Sequence, residues 1–278
     1  MGMNHSENQG YGREHFSGQV EAITQAITAP LNPPQRLAVE TIEGPLLILA
    51  GAGSGKTRVL THRIANIIAT GSATPEQILA VTFTNKAARE MEARTDTLLR
   101  QLGIATQGRM WISTFHSIGA RLLREHIELL DYKSFFGIYD TSEQLSMIKK
   151  VIAALGIDDK LYPAKTFAAR INAVKTDGYT PADVRNRSHL MDAQQLSVFT
   201  RYEIEMKRAN ALDFSDLLIK THELFRDYPD ILDHYRSRFR YIMVDEYQDT
   251  NSVQYKIIRM LADSHHNICV VGDEDQSI

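Results

Sequence analysis

From Pro34 onward the chain alternates short apolar runs with longer stretches of helical periodicity. Gln35 to Thr41 predicts a short helix. Leu46-Leu47-Ile48-Leu49-Ala50 is an unbroken apolar run between Gly44-Pro45 and Gly51, the pattern of a strand buried in a parallel sheet. A helix is expected from Gly55 to about Thr70. Ile78 to Phe83 predicts a second strand and Asn85 to about Leu102 the next helix. Met110 to Ser113 predicts a third strand, followed by a helix through Arg124. Strands and helices alternating at this spacing indicate an α/β domain with a parallel sheet.

The pattern then changes. Residues 120–210 carry almost no strand signal. Thr141 with Gln144 three positions on suggests a capping box ahead of Leu145, Ile148, Val151, Ile152 and Leu155. Pro163 opens a helix that Gly178 closes, and residues 190–208 form another. Strand character returns at Tyr241–Val244 and Ile268–Val271. The expected organisation is a tail over 1–29, a sheet domain made of 30–119 and 211–278, and an all-helical insertion at 120–210. Within the tail, Val20 to Ile27 has the pattern of a short helix.

Composition narrows the class. The 278 residues are 43% hydrophobic and 23% charged, which is ordinary for a globular protein and excludes wholesale disorder. The single cysteine, Cys269, lies in an apolar run and reads as core; it excludes a disulfide framework and a zinc cage of several thiolates. The apolar runs near the motifs are far too short for a membrane span, and Asn4, Glu7, Asn8 and Gln9 stand where a signal peptide needs apolar residues. A soluble protein of a reducing compartment, the cytoplasm, is the expectation. The net charge of −3 is uneven: residues 211–278 hold 7 basic and 13 acidic side chains, so the acidic surplus gathers where a cation would use it.

The most specific motif is Ala50-Gly51-Ala52-Gly53-Ser54-Gly55-Lys56-Thr57, between an apolar strand and a helix. Glycines there let backbone N–H groups turn toward an anion, and the helix N-terminus adds positive partial charge. Lys56 is the candidate partner of β- and γ-phosphates and Thr57 a candidate Mg²⁺ ligand. Ala50 departs from the usual opening glycine. The second half is Tyr241-Ile242-Met243-Val244-Asp245-Glu246, an apolar strand ending in two carboxylates. Asp245 is a candidate Mg²⁺ ligand, and Glu246 the candidate that orients or deprotonates an attacking water. A third strand end, Val271-Gly272-Asp273-Glu274-Asp275-Gln276-Ser277-Ile278, offers Gln276, whose amide both donates and accepts and so can sense a γ-phosphate or its water.

In this order the segments resemble the UvrD/Rep-type DNA helicases of superfamily 1, over about residues 31–278. The Ala50 form of the phosphate loop is the form that family shows. Leu31-Asn32-Pro33-Pro34-Gln35-Arg36 looks like its adenine-reading motif, with Gln35 on the base, and Arg58 resembles a further nucleotide contact. Val81 to Ala88, Thr114-Phe115-His116-Ser117 and Leu212-Asp213-Phe214-Ser215-Asp216-Leu217 resemble its DNA-contacting motifs. Asp245 to Asn251 and Val271 to Ile278 match its magnesium-binding and coupling motifs.

The resemblance implies a P-loop NTPase (RecA-like) parallel sheet with an embedded helical subdomain, ATP and Mg²⁺ as cofactors, and DNA as partner. Phe83 and Phe214 are then candidate stacking faces, and Thr84, Asn85, Thr114 and His116 candidate phosphate contacts. On the residues alone the aromatics serve equally well as core and His116 as a helix cap; Trp111 reads as strand packing. The implied activity is ATP-driven unwinding with 3′ to 5′ movement. The family also has a second motor domain, whose arginines act on the γ-phosphate, so the piece ending at Ile278 is expected to be nearly inactive alone. The competing readings are the motor part of a helicase–nuclease, a module binding nucleotide or single-stranded DNA without turnover, and a generic P-loop kinase.

Overall fold

The structure is a computed structural model and describes residue 18 and residues 20–273. The chain divides into two compact units. One holds the chain up to Thr114 with Tyr235–Asp249 and the segment from Ala262. The other holds Phe115–His234 and Thr250–Leu261.

The first unit begins with helix α1 over residues 20–28, followed by α2 (Pro33–Glu40), β1 (Leu46–Leu49), α3 (Lys56–Ala69), β2 (Ile78–Thr82), α4 (Asn85–Gln101) and β3 (Trp111–Thr114). The stretch expected as tail is therefore ordered from residue 20, because Ile27 is fully buried against Leu31, Val39, Val59 and Ala65.

The second unit contributes α5 (Phe115–His126), β4 (Gly137–Ile138), α6 (Thr141–Ala154), α7 (Ala164–Thr176), α8 (Pro181–Arg185), α9 (Ala193–Arg208), β5 (Ala211–Leu212) and α10 (Phe214–Asp227). In chain order there follow α11 (Pro229–Arg238), β6 (Tyr241–Val244) of the first unit, α12 (Ser252–Ala262), nearly all in the second unit, and β7 (Ile268–Gly272) of the first. The helical unit is wider than the expected 120–210, since α5 and α10 pack directly on each other. A Cβ on Gly119 of α5 would lie 2.7 Å from the Leu217 carbonyl oxygen of α10. It also contains a short parallel pairing, Gly137 with Ala211 and Ile138 with Leu212, too brief to leave a sequence signal.

The sheet of the first unit has five parallel strands in the order β1-β7-β6-β2-β3. Helices α3 and α4 cover one face through Leu60, Ile64, Ile67, Ala88 and Met91, against Ile78, Ala80, Met243, Cys269 and Val271. On the other face Trp111 meets Phe239 edge-on at 5.0 Å between ring centroids, so it does pack the sheet. Strands β2 and β6 are buried along their whole length, as continuous apolar runs require. Strand β1 differs from expectation. It lies at the sheet edge, with Leu46 and Ile48 turned inward while Leu47 and Leu49 are more than half exposed. Cys269 is buried as expected, and burial pushes its thiol up to about 11.

In the helical unit the capping box before α6 sits one residue earlier than expected. Asp140 accepts from the N–H groups of Ser142 and Glu143, and Glu143 returns the bond to the Asp140 N–H. Gln144 turns inward instead, donating to Asn172 and Asp213. Among the described residues no helix is long and apolar enough to cross a membrane.

Candidate active site

Strands β1, β7 and β6 are neighbours and parallel, so their C-terminal ends form one edge. Three polar segments leave from it: the loop 50–55, Asp245–Glu246 and Asp273. This is where open parallel sheets place ligands. The loop turns into α3 through Gly55 at φ +91°, a left-handed conformation that glycine adopts without strain, and a Cβ there would stand 3.0 Å from the Gln35 Nε2. Gly51, Ala52, Gly53 and Ser54 are exposed. The N-cap of α3 is Gly55, which makes no side-chain cap hydrogen bond, and a helix's first N–H groups can then serve an anion.

Gln35 lies beside this loop. Its Nε2 donates to the Ser54 carbonyl at 2.9 Å, and its Oε1 accepts from the Asn32 N–H as part of the α2 capping box. Thr57 and Arg58 occupy the first turn of α3, Thr57 half-buried and Arg58 exposed.

Lys56 is buried. Its ammonium donates to the Ala50 carbonyl at 3.0 Å and forms an ion pair with Asp273 Oδ2 at 3.0 Å. Asp245 ends β6 almost completely buried; its Oδ1 accepts from the Glu246 N–H. Burial, then the neighbouring Glu246, push its carboxyl up to about 6, against the opposing pull of that hydrogen bond and of Lys56. Glu246 has φ +49°, a conformation uncommon for a residue with a side chain. Its Oε2 accepts from Gln248 Nε2 at 2.8 Å. Gln276 lies outside the described residues.

The candidate DNA contacts divide between the units. In the first, Phe83 is half-buried at the end of β2, and Thr84 is the N-cap of α4, accepting from the Ala87 N–H. Asn85 is exposed and opens α4, while Thr114 is buried and ends β3. In the second unit His116 and Phe214 lie edge-on with ring centroids 5.7 Å apart. Phe214 is 54% exposed, so it is not core. His116 is half-buried in the first turn of α5, and burial lowers its pKa.

Behind Phe214 the buried Lys175 donates to Asp213 at 2.8 Å and Glu203 at 2.9 Å, and pairs with Asp216 at 2.6 Å. Tyr202 also donates to Asp213, which is the N-cap of Phe214's helix. Three carboxylates hold the Lys175 pKa well above the usual lysine value despite its burial.

Sequence reasoning did not single out Asp273, Gln248 or Lys175 as site or supporting residues. Asp273 had a legible signal, an acid at the end of an apolar strand like Asp245. Gln248 lay inside the Asp245–Asn251 motif without a role of its own, and Lys175 had no signal, since a lysine on a helix ordinarily faces solvent.

A family model described as the UvrD/REP helicase N-terminal domain matches residues 31–278. Curated proteins named ATP-dependent DNA helicase PcrA are similar to the chain. That of Staphylococcus epidermidis is 44% identical over 254 residues, or 91% of this chain and 34% of the relative. That of Leuconostoc citreum is 45% identical over 255 residues, with the same shares, and that of Staphylococcus aureus 44% over 254. The chain thus spans about a third of the length of these relatives. With its phosphate loop after β1 and its paired carboxylates after β6 on one edge of a parallel sheet, the chain belongs to the UvrD/REP helicase N-terminal domain family.

Proposed function

We propose that this chain is the nucleotide-binding part of an ATP-dependent DNA helicase, acting on single-stranded and duplex DNA in the cytoplasm. The observation that carries the reading is the shared edge of β1, β7 and β6, which gathers Lys56, Asp245 and Glu246 beside an uncapped helix N-terminus. The loop N–H groups and Lys56 bind the triphosphate, which takes over from Asp273 as the partner of the ammonium. Gln35 and Arg58 flank the nucleoside end. Thr57 and Asp245 hold Mg²⁺. The donor set fits, because a hard cation prefers oxygen ligands and the buried Asp245 carboxyl, pushed up by burial and by Glu246, gains from a cation beside it. The ion supplies charge neutralisation at the phosphates. Glu246 accepts the proton of the attacking water, and Gln276 senses the γ-phosphate.

Phe83 and Phe214 offer stacking faces worth about 1–3 kcal/mol per base, with Thr84, Asn85, Thr114 and His116 on phosphates. Movement is 3′ to 5′, and a second motor domain supplies the arginines that complete the site. The test is Lys56→Ala in the full-length protein. The expected outcome is ATP affinity weakened by at least about tenfold and hydrolysis at background, because a buried charge-assisted contact to phosphate is lost. Unchanged nucleotide affinity refutes the reading.

A further inference from the structure

The carboxylate of Glu246 is not held by the P-loop. Its described side-chain partner is Gln248, two residues on in the turn Tyr247–Asp249. That turn is closed by the Asp249 N–H on the Glu246 carbonyl at 3.0 Å. The amide of Gln248 has a fixed sense: its Oε1 accepts from the Asp273 backbone N–H at 3.1 Å, so its Nε2 faces Glu246. The fit is close. A Cβ on Gly272 would stand 3.2 Å from the Gln248 Oε1, nearer than ordinary contact. Asp273 in turn holds Lys56 through its side chain. One chain of contacts therefore runs from Lys56 through Asp273 and Gln248 to Glu246, all within the first unit.

We propose that Gln248 is a positioning residue for the hydrolytic reaction: it fixes one oxygen of Glu246 so that the other is free to face water, and it ties that aim to the Asp273 backbone beside Lys56. The inference rests on the reading of Glu246 as the residue that takes the water proton. Glu246 itself stands in a left-handed backbone conformation, φ +49°, a strain of the kind that collects at functional sites. When a triphosphate draws Lys56 from Asp273, the backbone that anchors Gln248 is the element that feels the change. The base is thereby aimed in step with nucleotide occupancy.

The experiment uses the full-length protein with Mg·ATP and single-stranded DNA, comparing Gln248→Met, Gln248→Glu and Glu246→Gln with Gln248→Met in the Glu246→Gln background. Binding of a fluorescent ATP analogue reports folding of the site in each. Gln248→Met is expected to lower kcat by about 10–100-fold with KM for ATP within about threefold, the scale seen when a hydrogen-bond partner that orients a metal ligand is removed. Gln248→Glu, which keeps the acceptor for the Asp273 N–H but sets carboxylate against carboxylate, should lose at least as much. In the Glu246→Gln background Gln248→Met should change the residual rate by less than about threefold, because the group it positions is already gone. Additive losses, a parallel loss of nucleotide affinity, or an unimpaired Gln248→Met enzyme overturn the proposal while leaving Glu246 as base. Parental hydrolysis by Glu246→Gln overturns the base assignment and this inference with it.

Discussion

Asp245 illustrates what a single residue contributes. Burial at the end of β6, and then the second negative charge of Glu246, push its carboxyl up to about 6. The folded value lies above the ordinary 3.8, so the folded state keeps its proton longer than the unfolded chain does. The cost to stability is absent below about pH 4, grows as pH rises toward 6, and is complete above it. Asp245→Asn removes that cost and retains an oxygen for the Glu246 N–H. Without nucleotide or divalent cation, the variant should be more stable than its parent by about 1–3 kcal/mol at pH 8, with the gap closing by about pH 4. Urea unfolding at the two pH values measures this; an equally large gap at pH 4 would show that ionisation is not the cause. The position of Asp245 just past a strand end was legible in sequence. Its environment was not, because burial depends on what packs over the strand.

At the scale of elements, helices are held by contacts their own patterns do not announce. The apolar periodicity of α6, α7 and α9 predicted their existence, and Phe167, Ile171, Val198, Phe199 and Tyr202 do form a core. The polar interior among them was hidden. Lys175 of α7, Glu203 of α9, and Asp213 and Asp216 at the start of α10 form a buried charge network. In sequence Lys175 and Glu203 belong to no motif, Asp213 and Asp216 stand out only as part of the Leu212–Leu217 segment, and nothing announces that the four meet. Gly119 is a second case: a glycine in a helix costs about 1 kcal/mol relative to alanine, and α5 tolerates it so that α10 can approach. Gly119→Ala should therefore destabilise the helical unit by about 1–3 kcal/mol, contrary to helix propensity. Thermal unfolding tests this, with nucleotide affinity of the first unit unchanged; a stabilised variant would mean that α5 and α10 do not touch at this point.

For the whole molecule the governing fact is that the chain spans about a third of its relatives' length. An arginine supplied to a γ-phosphate is worth roughly 10³–10⁵ in rate. The isolated 278-residue chain should bind Mg·ATP yet hydrolyse it slower than the full-length protein by about that factor, with little stimulation by single-stranded DNA. Steady-state hydrolysis alongside nucleotide binding decides it, and rapid DNA-stimulated turnover by the short chain would sink it. The sequence alone determined the parallel sheet, the helices between 120 and 210, and the placing of Lys56 after β1 and of Asp245 and Glu246 after β6, because strand burial, helical periodicity and glycine turns all leave local patterns. Only the tertiary structure decided that β1 lies at an edge, that Asp273 holds Lys56, and that Gln248 joins Glu246 to Asp273 across 27 positions of chain from the base. Those are contacts between strand ends far apart in sequence, and spacing along a chain does not encode which ends adjoin.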